Sequence, residues 1–189
     1  CLYLLLGCEK FVNVDLPDDQ LTKEVVFKND QLALAAMAGV YRSLDSSGFL
    51  SGSSQGGGLL LGCYTDELIS YQSQSSGITQ FYQLGITPQS TIIKNLWEVA
   101  YNQIYMLNSI LEGMGNSKGV SESVKKQLRG EALFIRGLLH ASLTNTFGDI
   151  PYIKSTDYNL NLKVHKNRSE EVLDLAINDI KDALSLLPA

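Results

Sequence analysis

The residues best equipped for chemistry in this 189-residue sequence are few and scattered. Histidine occurs at His140 and His165 alone, and neither has a second histidine or a cysteine at metal-ligand spacing. His140 follows Leu139 in an apolar stretch, where an imidazole reads as a half-buried group bonded to a helical or loop partner; proton transfer is the alternative. The pairs Asp66-Glu67 and Glu170-Glu171 are sequence neighbours, whereas glycosidase acids face each other across a cleft about 5–10 Å wide. No serine stands in a G-x-S-x-G setting. The glycine-rich run over 46–62 lacks the lysine of a phosphate-binding loop and the spacing of a dinucleotide fingerprint. Cys1, Cys8 and Cys63 form neither a metal site nor a dense disulfide framework. The expectation is therefore a protein with no catalytic residue, no metal and no cofactor. A better-populated set is aromatic and amide: Phe49, Tyr64, Tyr71, Gln72, Gln74, Gln80, Phe81, Tyr82 and Gln83. Sugar rings stack their C–H faces on aromatic side chains, and their hydroxyls pair with amides, so such a surface suits a glycan. Tyr64, Tyr71, Gln72, Phe81 and Tyr82 are the candidate contacts; packing of the same rings onto neighbouring helices is the competing reading.

One thiol has a distinctive setting. Residues 1–8 read CLYLLLGC, and the chain turns polar at Glu9-Lys10. The apolar run is far shorter than the roughly 20 residues that cross a bilayer, but has the length of the end of a signal-peptide apolar region. Leu5-Leu6-Gly7-Cys8 resembles the lipobox of bacterial lipoproteins, in which the cysteine is alkylated by a diacylglycerol and becomes the first mature residue. Cys8 is then the lipidation site, and its acyl chains anchor the protein without spanning, each buried CH₂ contributing roughly 0.8 kcal/mol. The alternative is a short N-terminal helix or strand with a buried cysteine.

These residues must be positioned by helices. Pro17-Asp18-Asp19 suits an extended tether ending in a turn. Asn29 and Asp30 precede Leu32, Ala33, Ala36, Met37, Val40 and Leu44, the spacing of an amphipathic helix with an Asn or Asp cap, with Phe27 as a staple. Residues 46–62 are expected to be loop with a short buried piece at Leu59 to Leu61, and 63–86 a surface segment. Helices are predicted over 88–112, started by Thr87-Pro88 and ended by Gly113 and Gly115, over 121–146, and over 170–187. The last has Val172, Leu173, Ala176, Ile177, Ile180, Ala183, Leu184 and Leu187 on its inward face. The fold class is all-α, with antiparallel helix pairs and long loops. Fifteen Lys and Arg against twenty Asp and Glu, with no block of five like charges, exclude nucleic acid as a partner.

The segment Arg129-Gly-Glu-Ala-Leu-Phe-Ile-Arg-Gly-Leu-Leu-His140, followed by Asn145-Thr-Phe-Gly-Asp-Ile-Pro-Tyr152, resembles the signature of the SusD/RagB family, nutrient-binding outer-membrane lipoproteins of Bacteroidetes. The family pattern is E-A-R-F-L-R-A ending in F-G-D-V-P. Glu131, Ala132, Phe134, Arg136, Phe147, Gly148, Asp149 and Pro151 match it, while Leu133 replaces the usual arginine and Gly137 the usual alanine. Cys8, Val14-Asp15-Leu16-Pro17, Asp66-Glu67, the Trp97 to Asn108 helix and Arg168 to Pro188 agree in order. Glu131, Arg136, Phe147, Gly148, Asp149 and Pro151 read as structural specification: Gly148 for its backbone freedom, Asp149 as an acceptor of nearby N–H groups, Pro151 to stiffen the exit. Glu131 and Arg136, five apart, should reach separate partners.

The resemblance implies tetratricopeptide-like helix pairs, with 1–8 a remnant of the signal peptide and lipobox, 9–28 a tether, and 29–189 a SusD-like helical domain, incomplete at its C-terminus. It also implies a lipid anchor in the outer membrane, surface exposure, and non-catalytic delivery of an oligosaccharide or polysaccharide to a TonB-dependent outer-membrane transporter. A helical-repeat scaffold that binds protein and no glycan is the other reading.

Overall fold

The computed structural model describes residues 23–73 and 76–188. Among them the chain forms eight helices: α1 (Lys23–Val26), α2 (Asp30–Ser46), α3 (Gly57–Tyr64), α4 (Gly77–Tyr82), α5 (Thr91–Asn116), α6 (Glu122–Phe147), α7 (Tyr158–Asn161) and α8 (Ser169–Leu186). Cys8, Cys1 and the greater part of the expected tether lie outside the described residues.

The all-α expectation holds, and polar side chains order the starts of α2 and α6. Asn29 caps α2 by accepting from the Leu32 N–H at 3.0 Å. Ser121 stands at the N-cap of α6, where its N–H and hydroxyl both donate to the Asp30 carboxylate, joining the starts of α2 and α6. The Asp30 carboxyl lies below the usual range because Ser121 donates to its charged form, through the backbone first. At the start of α5 the structure departs from expectation: Ser90, not Thr87, is the N-cap, and the helix runs through Gly113 and Gly115 to Asn116. Gly113 is needed inside it, because a β-carbon there would stand 2.2 Å from the Phe27 ring. Phe27 is in the core, so packed structure begins before residue 29.

Helices pack as antiparallel pairs. The polar turn at 117–121 returns the chain from α5 to α6, and Gln103 of α5 donates to the Ser43 hydroxyl and the Ser47 carbonyl at the end of α2. On α6, Gly137 faces Ala176, Asp179 and Ile180 of α8, while Gly130 faces Leu186 and Leu187. Low-numbered residues of one helix thus meet high-numbered residues of the other. A β-carbon at Gly137 would come within 2.8 Å of the Ala176 carbonyl oxygen, so its absence sets how closely the two helices approach.

The core runs from Met37 and Val40 through Leu96, Ala100, Ile104 and Leu107 to Leu128, Leu139, Leu143, Val172 and Ala176. The inward face expected for α8 is corrected in part. Val172, Ala176 and Ala183 are buried, but Ile177 is 47% and Leu184 70% exposed, and the fourth buried position is Asp179. Helix α8 packs on one side only, so its apolar stripe is wider than the face that α6 covers. Among the described residues no helix is long and apolar enough to cross a membrane.

Candidate functional site

The signature residues come together where α6 ends, and they are held by a buried polar network. Arg136 forks onto Asp179 of α8, with Nε–Oδ2 at 2.7 Å and Nη2–Oδ1 at 2.8 Å, and its Nη1 donates to Asn108 Oδ1 of α5 at 2.8 Å. Asn108 in turn donates to the Ile153 carbonyl, and the Tyr152 hydroxyl donates to Asp179 at 2.7 Å. One guanidinium therefore ties three helices and, through Asn108 and Asp179, the segment that leaves α6. His140, fully buried, accepts the Ile153 N–H at Nε2 (3.2 Å), so Nδ1 carries the proton and donates to the Arg136 carbonyl (2.9 Å). Burial holds this imidazole down to about 4. Its ring stacks on Tyr152 at 3.8 Å. Burial also raises the Tyr101 and Tyr152 phenols, which remain donors, Tyr101 to the Pro151 carbonyl at 2.8 Å.

Each remaining signature position has a structural task. Gly148 adopts φ +74° and ψ −131°, a conformation nearly confined to glycine, and its N–H closes α6 on the Thr144 carbonyl. Phe147 sets its ring edge-on to Trp97 at 5.2 Å. Asp149 accepts the N–H of Ser169 at 3.0 Å and so orders the start of α8. Glu131 accepts from Tyr41 and Gln127, a set separate from the partners of Arg136. All of these bonds are internal, and the cluster fixes a frame.

The aromatic and amide set is divided by the structure. Phe81 is only 2% exposed, and this corrects its place among ligand contacts: residues 77–82 coil into α4, which turns that ring into the core. Tyr82 is half-buried against the same core. Tyr64 at 47%, Tyr71 at 92% and Gln72 remain on the surface. The segment expected as loop is α3, and its start requires glycine: Gly57 donates to the Gly48 carbonyl, and a β-carbon there would lie 2.2 Å from the Phe49 carbonyl oxygen. The glycine-rich run is thus a chain folded tightly on itself.

Between that run, α4 and the first turn of α5 lies a cleft of about 430 Å³, within the roughly 300–1,000 Å³ of small-molecule sites. Gln55, Gln80, Gln89 and Asn95 line it, with the hydroxyl residues Thr87, Ser90 and Thr91. It is positioned by Gly77, whose missing side chain lets α4 rest on Ile92, and by the Ser90 hydroxyl, which donates to Gln80 Oε1 at 3.4 Å. That bond leaves the first turn of α5 without a side-chain cap, so its N–H groups open at the same place. Of these residues only Gln80 belonged to the sequence-derived set; the legible signal was the Thr-Pro-Gln-Ser-Thr run at 87–91. A larger cleft of about 550 Å³ lies beside Phe27, Glu112 and Ser117. Two of its polar groups are engaged internally, Ser117 with Phe27, Gly119 and Val120, and Glu112 with Ser155 and Thr156, and Lys28, Asn116 and Lys118 complete its polar lining. Among the described residues no three of His, Cys, Asp or Glu converge as metal ligands.

Comparison with known proteins agrees with this arrangement. The chain is 22% identical over 193 residues to the SusD-like protein P25 of Formosa agariphila, covering 96% of this chain and 35% of that protein. In fold it is similar to a SusD superfamily protein from Bacteroides vulgatus, with TM-score 0.73 at 23% identity, covering 86% of this chain and 35% of that one. It is likewise similar to a laminarin-binding SusD-like protein, with TM-score 0.71, 23% identity and the same coverage. A SusD-like carbohydrate-binding protein from Bacteroides fragilis gives TM-score 0.69 at 20% identity, over 87% and 33%. The chain thus spans about a third of the length of these relatives. The family model for SusD-like proteins, described as starch-binding and associating with the outer membrane, matches residues 62–189. That match takes in α5, α6 and α8 with the Arg136–Asp179 frame between them, and the chain belongs to the SusD-like family.

Proposed function

We propose that this protein is a non-catalytic, cell-surface glycan-binding lipoprotein. In this reading Cys8 carries the lipid that holds it to the outer membrane, and the bound oligosaccharide or polysaccharide passes to a TonB-dependent transporter. The observation that carries it is the amide- and hydroxyl-lined cleft at the start of α5, in a chain of the SusD-like family. Amides both donate and accept, as sugar hydroxyls do, and a cleft of this kind positions a ligand without a nucleophile or an acid–base pair. Exposed Tyr64 and Tyr71, in the stretch of chain between the cleft residues Gln55 and Gln80, are proposed as stacking surfaces for a longer chain.

The test is surface binding of fluorescently labelled polysaccharides to cells producing the full-length protein or its Cys8→Ser variant. Wild-type cells should bind label, and the variant should leave the outer-membrane fraction and bind none. Unchanged membrane retention of Cys8→Ser would contradict the anchor. Surface-exposed wild-type protein that binds no polysaccharide would contradict the glycan reading.

A further inference from the structure

The walls of the cleft are almost free of charge. Between Asp45 and Lys94 the only charged residues are Asp66 and Glu67, although Lys, Arg, Asp and Glu make up 19% of the chain. Six of the ten glutamines fall in that same stretch. It supplies α3, α4 and the approach to α5, and none of the residues lining the cleft is ionisable. Lys94, which stands between the lining residues Ile92 and Asn95, is itself no part of the lining and pairs with Glu98 at 3.5 Å. Solvent-facing surface is ordinarily rich in charge, so a polar surface built from amides and hydroxyls alone calls for an explanation.

Resting on the glycan reading, we infer that this cleft selects neutral polysaccharide and rejects acidic polysaccharide. A neutral hydroxyl both donates and accepts, and the amides of Gln80, Gln89 and Asn95 can meet it in either sense. A carboxylate or sulfate only accepts. To enter the cleft it would shed hydration and meet amide oxygens as well as amide nitrogens, with the uncapped N–H groups of the first turn of α5 as its only fixed donors and no lysine or arginine in the lining. The net charge of −5 adds a weak repulsion of polyanions at low salt.

The experiment is affinity electrophoresis of the full-length protein at low salt in gels containing laminarin, soluble starch, alginate or polygalacturonate. Two variants run beside it, Gln89→Leu/Asn95→Leu and Gln89→Lys/Asn95→Lys; both positions are exposed, so the fold should survive, as circular dichroism would verify. Expected are retardation by a neutral polymer, none by the acidic ones, and a loss of affinity of about tenfold or more in the leucine variant. The lysine variant should gain retardation by alginate. Equal or stronger retardation of wild type by an acidic polymer would overturn the selectivity while leaving glycan binding in place. Leucine and lysine variants indistinguishable from wild type would overturn the cleft. No retardation by any of the four would overturn glycan binding and the selectivity with it.

Discussion

At the scale of single residues, the acid response is written into His140. Burial places its folded value at about 4 against an ordinary 6.5, the helix carbonyl at Arg136 offsetting only part of this. The unfolded chain takes up this proton near pH 6.5 and the folded chain only near 4. Stability from this group is therefore complete above pH 6.5 and falls as pH drops through that window, by about 3 kcal/mol in all. Protonation would also set the Nε2–H against the Ile153 N–H. Urea unfolding between pH 7 and 4.5 should show this slope, and His140→Gln should flatten it. An NMR titration provides a second check, since the His140 ring signals should stay unshifted to about pH 5; a midpoint near 6.5 would contradict the account. The sequence reads His140 as a half-buried, bonded imidazole with proton transfer as the alternative. The structure bonds it at both nitrogens and buries it fully. The Asn29 cap, the Asp149 acceptor and the separate partners of Glu131 and Arg136 are as the sequence suggests. The sequence does not reveal Asp179 as the partner of Arg136, because 43 residues separate them and only the docking of α8 brings them together.

At the scale of elements, that docking rests on one charge pair within an apolar seam. Arg136 and Asp179 are each only 7% exposed at the side chain, so removing either leaves the other buried without its partner. Arg136→Met should destabilise by about 3–5 kcal/mol, and Arg136→Met/Asp179→Leu should recover part of the loss, as urea denaturation would measure. Additive losses in the double variant would show that the pair is not the joint. Helices α5, α6 and α8 were legible because each holds a 3.6-residue apolar stripe over several turns. Helices α3 and α4 were not, for a physical reason. They are eight and six residues long and begin at glycines chosen for close backbone approach, which reads locally as loop. For the same reason the sequence leaves Phe81 open between ligand contact and packing, and the cleft beside α4 has no local signature.

At the scale of the molecule, the two parts divide the work. A rigid frame of α5, α6 and α8, locked by Arg136, Asp179, Asn108 and Tyr152, holds a charge-poor flank of α3, α4 and the first turn of α5 in which the cleft lies. Fold and family were readable from motifs in the frame; the ligand-facing surface was less so, because it is assembled from amides and hydroxyls that carry no spacing rule. The central claim is that a neutral saccharide seats in that cleft. Its most direct test is a crystal structure of the full-length protein with a neutral oligosaccharide from whichever polymer retards it. The account predicts sugar density within hydrogen-bond distance of Gln80, Gln89 and Asn95. Density confined to another surface, with the cleft occupied by water alone, would contradict it.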